Sequence, residues 1–339
     1  MKIAPGYLVF AGTFLFAVLS PILIPRDLLR VAFCSAGFYF VITAFGIWLL
    51  LAGRFAGKHL RRLQRTDFLA AAASLAILVT MFAVAPPRFK VFDDEPALIN
   101  VSRNIFYHKT ASLSSVYLPG GSADSSLLPD KRPLLFPVLT CIIHYLRGYS
   151  SANGFIVNFI CGILALFAFY LFLSRFFSRT LSLAGMLLMA GQPLFFFWIT
   201  SSGMETLNLL FLIISFILLQ RFILTKEAAV FDFLLMTLVL LAQCRYESLL
   251  FLALPLLLIR TIPRQLILRP TPIVCSLPLF LVPVLWQRKI FSAGSELTGV
   301  LIGPNSLQIP SDRAAFALKN FFSNFRTPDF GLGSIPCDD

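Results

Sequence analysis

The sequence predicts an all-α, polytopic transmembrane helix bundle of about nine spans, with a large outer loop between the third and fourth spans that contains interfacial helices. Three observations carry this. The 339 residues are 58% hydrophobic and only 13% charged, where a soluble domain averages about 25% charged. Apolar runs recur at close to the ~20 residues that a helix needs to cross a ~30 Å hydrocarbon core. Basic residues cluster in alternate connections between those runs.

The runs fall at 6–24, 31–52, 68–86, 152–174, 181–200, 204–224, 229–244, 248–262 and 271–287. The first follows a single Lys2 and shows no small-x-small cleavage site, so it reads as a membrane anchor rather than a cleaved signal. Residues 229–260 are apolar except for Arg245, Tyr246 and Glu247. One helix over that stretch would be ~48 Å long. It would also bury two charges at a cost of roughly 2.5–3.5 kcal/mol each. A hairpin of two short helices meeting at Arg-Tyr-Glu avoids both penalties.

Orientation follows from Lys and Arg. Arg54, Lys58, Arg61, Arg62 and Arg65 fill one connection, which is taken as cytoplasmic. Nine crossings then place Arg175 and Arg179, Arg221 and Lys226, and Arg260, Arg264 and Arg269 on that side. The short outer connections hold only Arg26, Arg30 and Arg245. Of the 16 acids, only Asp67, Glu227 and Asp232 lie inside or at the inner interface. Acids contribute little to orientation, so their outer concentration asks for another reason. The net charge of +12 is accounted for by topology, and nucleic acid is not an expected partner. The six cysteines show no CxxC or metal-type spacing, so neither a zinc site nor a disulfide framework is expected.

Three regions follow: two N-terminal spans with the basic loop (1–67), a central module (68–290) and an outer C-terminal segment (291–339). The outer loop, 88–151, exceeds the ~12–15 residues of a plain connector. Within it, PLLFPVLTCIIHYLRG reads as an interfacial helix, because a crossing there would invert every later loop. LPGGSADSSLLPDKRP is turn-rich and expected to be mobile.

Chemistry-bearing residues concentrate on the outer side. Asp93, Asp94 and Glu95 follow the third span, and Pro96 lets a helix start with the acids at its positive end. Glu205 opens the sixth span in SSGMETLNLL, and Arg245 and Glu247 form the hairpin tip. Each has a bland alternative as a capping acid or a local ion pair. Charges from separate segments converging on one face of a lipid-embedded bundle point instead to a functional site. His59, His108 and His144 read as loop or interfacial residues.

FDDEPALINVSRNIFYHKT, followed by DKRPLLFPVLTCIIHYLRGYSSANGFIVNFICGILALFAFYLFLSRFF, resembles the first outer loop and next span of GT-C glycosyltransferases. The protein O-mannosyltransferase-like branch and the lipid A aminoarabinose transferases are the nearest in pattern. GMETL and CRYESLLF resemble that family's second acidic loop and its Arg-Tyr/Pro-Glu hairpin. The resemblance covers roughly residues 68–290. Two spans precede the family's usual first span, and members usually continue through several spans beyond the position of Asp339. The chain therefore reads as a truncated or short variant.

The resemblance implies an enzyme that moves a sugar from a polyprenyl-phosphate donor to a hydroxyl acceptor on a protein, lipid or glycan. Asp94 would be the general base and Glu95 its assistant. Lys131, Arg132, Arg245 and Glu247 would serve the donor phosphate. Glu205 and Asp94 would hold a divalent metal ion if one is used. Membrane lipids are the expected surroundings, and a groove formed by 229–262 and 134–147 would take the prenyl tail. The expected location is a bacterial inner membrane with the site facing the periplasm. The alternatives are a transporter or flippase of lipid-linked substrates, or an inactive fragment. Against a transporter, the strong charges sit at the outer boundary rather than the midplane.

Overall fold

The computed structural model describes residues 5–59, 64–91, 94–113, 128–257 and 271–291. The expected outer C-terminal segment from residue 292 onward lies outside the described residues. So do Asp93, Arg61, Arg62, Arg260, Arg264 and Arg269, and most of the turn-rich stretch.

Among the described residues the architecture is helical, apart from one two-residue antiparallel ribbon. Helices α1 (Pro5–Leu23), α2 (Arg26–His59) and α3 (Arg65–Val84) supply the first three spans. Gln64 and Asp67 fix the start of α3 reciprocally: the Gln64 N–H donates to Asp67 Oδ2 at 2.8 Å. Such a box satisfies N–H groups that have no partner within the helix. After α3 come α4 (Asp94–His108), the strands β1 (Ser112–Leu113) and β2 (Leu128–Pro129), and α5 (Leu135–Arg147). β1 and β2 pair Ser112 with Pro129 and Leu113 with Leu128. Next are α6 (Asn153–Leu173), α7 (Arg179–Ala190), α8 (Pro193–Ile199), α9 (Glu205–Thr225) and α10 (Ala228–Ala242). A 3-10 helix (Glu247–Ala253), the short α11 (Leu254–Leu257) and α12 (Pro272–Phe291) complete the described chain.

Among the described residues, six helices are long and apolar enough to cross a membrane, and the bent pair α7 and α8, taken as one span, makes a seventh. That pair bends by 68° where Gly191, Gln192 and Pro193 interrupt it, and Pro at the first position of α8 cannot continue the α7 ladder. The expected single span over 181–200 is therefore a broken one. At 15 residues, α10 would be about 22 Å long, short of a full crossing. Part of the expected span 248–262 falls outside the described residues. The expected break at Arg245–Glu247 is present, since α10 ends at Ala242 and the 3-10 helix starts at Glu247. α5 is the expected short amphipathic helix. It buries Leu135, Phe136, Val138 and Cys141 and leaves Tyr145 and Leu146 exposed.

Long-range contacts fix the direction of each helix. Thr13 Oγ1 donates to Cys275 O at 2.7 Å, and Trp286 Nε1 donates to Ser20 Oγ at 2.8 Å, so α1 and α12 run parallel. Asp67 at the start of α3 meets Tyr170 at the end of α6, so those two are antiparallel. The chain thus has a basic end, with Arg65, Arg175, Arg179, Arg221 and Lys226, and an acidic end, with Asp94, Glu95, Asp130, Glu205 and Glu247.

α10 lies at the centre and is buried on nearly every side, as an all-round apolar helix should be. Close approach elsewhere depends on glycine. A Cβ on Gly162 of α6 would come 2.7 Å from Ile199 Cγ1 and 3.2 Å from Leu78 Cδ1. A Cβ on Gly154 would collide with Ser202 Oγ and lie 2.7 Å from Ile99 Cδ1. Small residues of this kind let helices pack tightly where no hydrophobic drive separates protein from lipid.

Candidate functional site

The site lies at the acidic end and is assembled from four segments. α4 contributes Asp94 and Glu95 in its first turn, where carboxylates are favoured by the helix dipole. The loop before α5 contributes Asp130 and Arg132. Glu205 opens α9, and Arg245, Tyr246 and Glu247 follow α10.

Arg132 is its organising cation. Its Nε donates to Asp94 Oδ1 at 2.8 Å, its Nη2 contacts the same oxygen, and its Nη1 donates to Asp130 Oδ1 at 2.8 Å. The side chains of Arg132 and Asp130 are 9% and 3% exposed, while that of Asp94 is 42% exposed. The pairing is therefore buried on one side and open on the other. Burial pushes the Asp130 carboxyl up from its usual range, and the Arg132 guanidinium opposes that. The backbone here is pinned from α12: Gln287 Nε2 donates to Asp130 O at 2.8 Å and to Arg132 O at 2.7 Å. Asp130 and Arg132 are thus buried and tied to α12, although the turn-rich stretch that ends with them was expected to be mobile.

Glu95 is buried and fully engaged. Its Oε1 accepts from the N–H groups of Lys90 at 3.2 Å and Val91 at 3.0 Å, and Oε2 accepts from Ser202 N–H at 2.8 Å. Burial raises its pKa, and those N–H donors together with the Lys90 ammonium pull it back. Glu95 ties α4 to the segment between α8 and α9. Lys90 reinforces the tie: its ammonium donates to Phe197 O at 2.8 Å, bonds Thr200 Oγ1 and lies 4.7 Å from the Phe197 ring centroid. Burial lowers its pKa to about 8, with Glu95 opposing and Arg88 assisting. Asn158 of α6 holds the same segment by donating to Ser201 O at 2.8 Å.

Arg245 is held loosely. Its Nη1 lies 3.9 Å from Glu205 Oε1 and its Nε lies 3.5 Å from Glu247 Oε2, and 38% of the side chain is exposed. Glu205 Oε2 is buried with no hydrogen-bond partner. Asp94 and Glu95 both lie close enough to Glu205 to repel it. Tyr246 sits within the field of Asp130, Arg132, Glu247 and Asp94, and burial raises its pKa. The structure thus brings Asp94, Glu95, Arg132, Glu205, Arg245 and Glu247 to one end of the bundle. Lys131 is exposed beside them. Among the described residues, no group of three or more His, Cys, Asp or Glu is placed to hold a metal ion.

Sequence reasoning missed Lys90, Asp130, Ser202 and Gln287. Asp130 stands in the quoted DKRP element and was within reach. Gln287 ends an apolar run and carries no local signal of its partner.

His144 has the contacts expected of a catalytic base: its Nε2 lies 3.0 Å from Ser102 Oγ and its Nδ1 lies 2.8 Å from Asn153 Nδ2. Asn153 Nδ2 also donates to Gly148 O at 2.9 Å, which fixes the amide orientation and makes Nδ1 an acceptor. Nε2 then carries the proton and cannot take one from Ser102, whose hydroxyl donates to Ile99 O. The ring is fully buried, and burial lowers its pKa to about 4. It is a neutral structural link between α4, α5 and α6.

Residues 131–286 match the family model described as dolichyl-phosphate-mannose-protein mannosyltransferase. That family is of the GT-C type, and the matched stretch is similar to it. The matched stretch takes in Lys131, Arg132, Glu205, Arg245 and Glu247, and it begins after Asp94 and Glu95. No curated protein and no solved structure matches the chain. The GT-C resemblance read from the motifs is upheld, and with it a membrane glycosyltransferase as the coarse activity.

Proposed function

We propose that this GT-C-like protein transfers a sugar from a polyprenyl-phosphate donor to a hydroxyl acceptor at its acidic, non-cytoplasmic end, in a bacterial inner membrane with the site facing the periplasm. The observation that carries the reading is that a half-exposed carboxylate, Asp94, held by Arg132, and a loosely held cation, Arg245, beside Glu205, stand at the same end of the bundle.

An alcohol is a weak nucleophile, and a carboxylate at the acceptor removes its proton as attack proceeds. Asp94 fills that role. Arg132 occupies its Oδ1 and fixes its orientation, and the side chain remains open. Glu95, with both oxygens satisfied by backbone N–H groups, sets the position of Asp94 on α4. The sugar passes through an oxocarbenium-like transition state, which nearby carboxylates stabilise. The departing phosphate needs cations more than a general acid. Arg245 is the first of these, because its pairs are long and its side chain is exposed, and its planar fork suits phosphate. Lys131 adds charge at the rim. Arg132, already shared between two carboxylates, contributes chiefly by holding Asp94. Glu247 restrains Arg245.

A divalent cation, if the reaction uses one, would be held by Glu205 and Asp94 and would neutralise the leaving phosphate. The buried, unpartnered Glu205 Oε2 is the acceptor that invites it. The strong charges at helix ends rather than midspan support boundary chemistry over a transport pathway.

Transfer of radiolabelled sugar from a prenyl-phosphate donor in proteoliposomes tests the proposal. Wild-type protein should label a hydroxyl acceptor, and Asp94→Asn should not. An Asp94→Asn variant as active as wild type overturns the assignment of the base. Uptake of a lipid-linked substrate without any transfer overturns the reaction class.

A further inference from the structure

We infer that the basic end carries a binding site for one anionic phospholipid, with an acyl chain in the groove between α6 and α9 and the phosphate on Arg175 and Arg221. The groove measures about 330 Å³ and is lined by Phe169, Phe172, Leu212, Ile213 and Phe216, with no polar group among them. Its size falls within the ~300–1,000 Å³ of ordinary ligand sites. It lies away from the acidic end and asks nothing of the chemistry there.

Helical geometry leads from the groove to the two arginines. On α9, Leu212, Phe216 and Gln220 share one stripe at i, i+4 and i+8, and Ile213, Ile217 and Arg221 share the adjacent one. On the other wall, Phe172 precedes Arg175 by three residues at the end of α6. Arg175 reaches across, its Nη1 lying 3.1 Å from Gln220 Oε1 and 3.5 Å from Ile217 O. The guanidiniums are close enough to repel: desolvation and then Arg221 hold the Arg175 pKa below its ordinary value. Among the described residues no carboxylate forms an ion pair with either one, and Arg221 Nε is buried with no hydrogen-bond partner.

Two like charges beside a dry apolar groove, with a buried donor left open, are complementary to an anion that carries a hydrocarbon chain. A phospholipid of the basic-side leaflet has that chemistry at the right depth. Its phosphate would relieve the repulsion and accept from both arginines. A neutral lipid would fill the groove and leave the arginines uncompensated.

Native mass spectrometry of the purified protein, titrated with phosphatidylglycerol or with phosphatidylcholine of the same chain length, tests this. Phosphatidylglycerol should be retained about thirtyfold more tightly, as roughly 1 kcal/mol for each of the two arginines implies. The double variant Arg175→Gln/Arg221→Gln should lose that preference. Leu212→Trp, which fills the groove and spares both arginines, should weaken both lipids. Equal retention of the two lipids by wild type overturns the site, whether or not the double variant folds. So does a double variant that keeps the preference, or inorganic phosphate alone matching phosphatidylglycerol in raising the melting temperature.

Discussion

Arg132 places Nε and Nη2 on the same oxygen of Asp94 and turns Nη1 to Asp130. One guanidinium therefore joins a half-exposed carboxylate to a buried one, and Asp94 is oriented from behind while its open side faces outward. The buried half of the pairing is structural and the open half is available for chemistry. The two are separable by mutation.

Asp94→Asn keeps the shape of the side chain and removes its basicity. Arg132 keeps Asp130 as partner, so the loss of stability should be about 1 kcal/mol or less. Transfer should fall by about a hundredfold or more, the usual worth of a general base. Initial rates and thermal melts on the same preparation separate the two effects.

Arg132→Met should behave differently. It leaves Asp130, whose side chain is 3% exposed, as a buried charge without a partner, at a cost of about 3–5 kcal/mol. Adding Asp130→Asn should recover part of that loss, which a double-mutant cycle on thermal stability would reveal. Simple additivity would show that the pair is not coupled.

Much of this arrangement was legible in the sequence, and the limits are physical. The positions of most long apolar helices, the break at Arg245–Glu247, the short amphipathic α5 and the gathering of acids at one end follow from hydropathy and charge, which are local. The bend at Gly191–Pro193 was hidden because the apolar run continues through it. The burial of Asp130 was not legible, since DKRP reads as a turn until Gln287, far along the chain, donates to its carbonyls. The role of Glu95 was only half visible: its place at a helix start was clear, and its bond to Ser202 N–H depends on how α8 and α9 fold back.

Glu95→Gln tests that latch. Whichever way the amide turns, its NH2 faces backbone N–H donors of Lys90 and Val91 or of Ser202. A lost buried acceptor costs about 1–3 kcal/mol. The melting temperature should drop, and activity per folded molecule should fall less than in Asp94→Asn. An unchanged melting temperature would refute the latch.

Arg245→Gln should act on donor binding. Its contacts to Glu205 and Glu247 are long, so little folding energy is at stake. A charge-assisted bond to phosphate is worth about 1.5–3 kcal/mol, which is a KM for the prenyl-phosphate donor raised about tenfold or more. Arg245→Lys should restore only part of it, because an ammonium lacks the planar fork. A variant with unchanged donor KM removes Arg245 from the phosphate site.

His144 supplies a pH test of structure without chemistry. Burial holds its folded pKa near 4, against 6.5 for the free side chain. At pH 7 the ring is neutral in both states. As pH falls below 6.5 the unfolded chain binds a proton that the folded one refuses, so stability is lost progressively down to about pH 4. The loss for so large a shift is about 3 kcal/mol at most. His144→Gln cannot titrate, so the wild-type advantage over it should shrink across that window, measured by melts at pH 7, 6, 5 and 4. Transfer per folded molecule at pH 7 should survive in the variant, because Nε2 already carries its proton and donates to Ser102. An intact fold with abolished transfer would instead place His144 in the reaction.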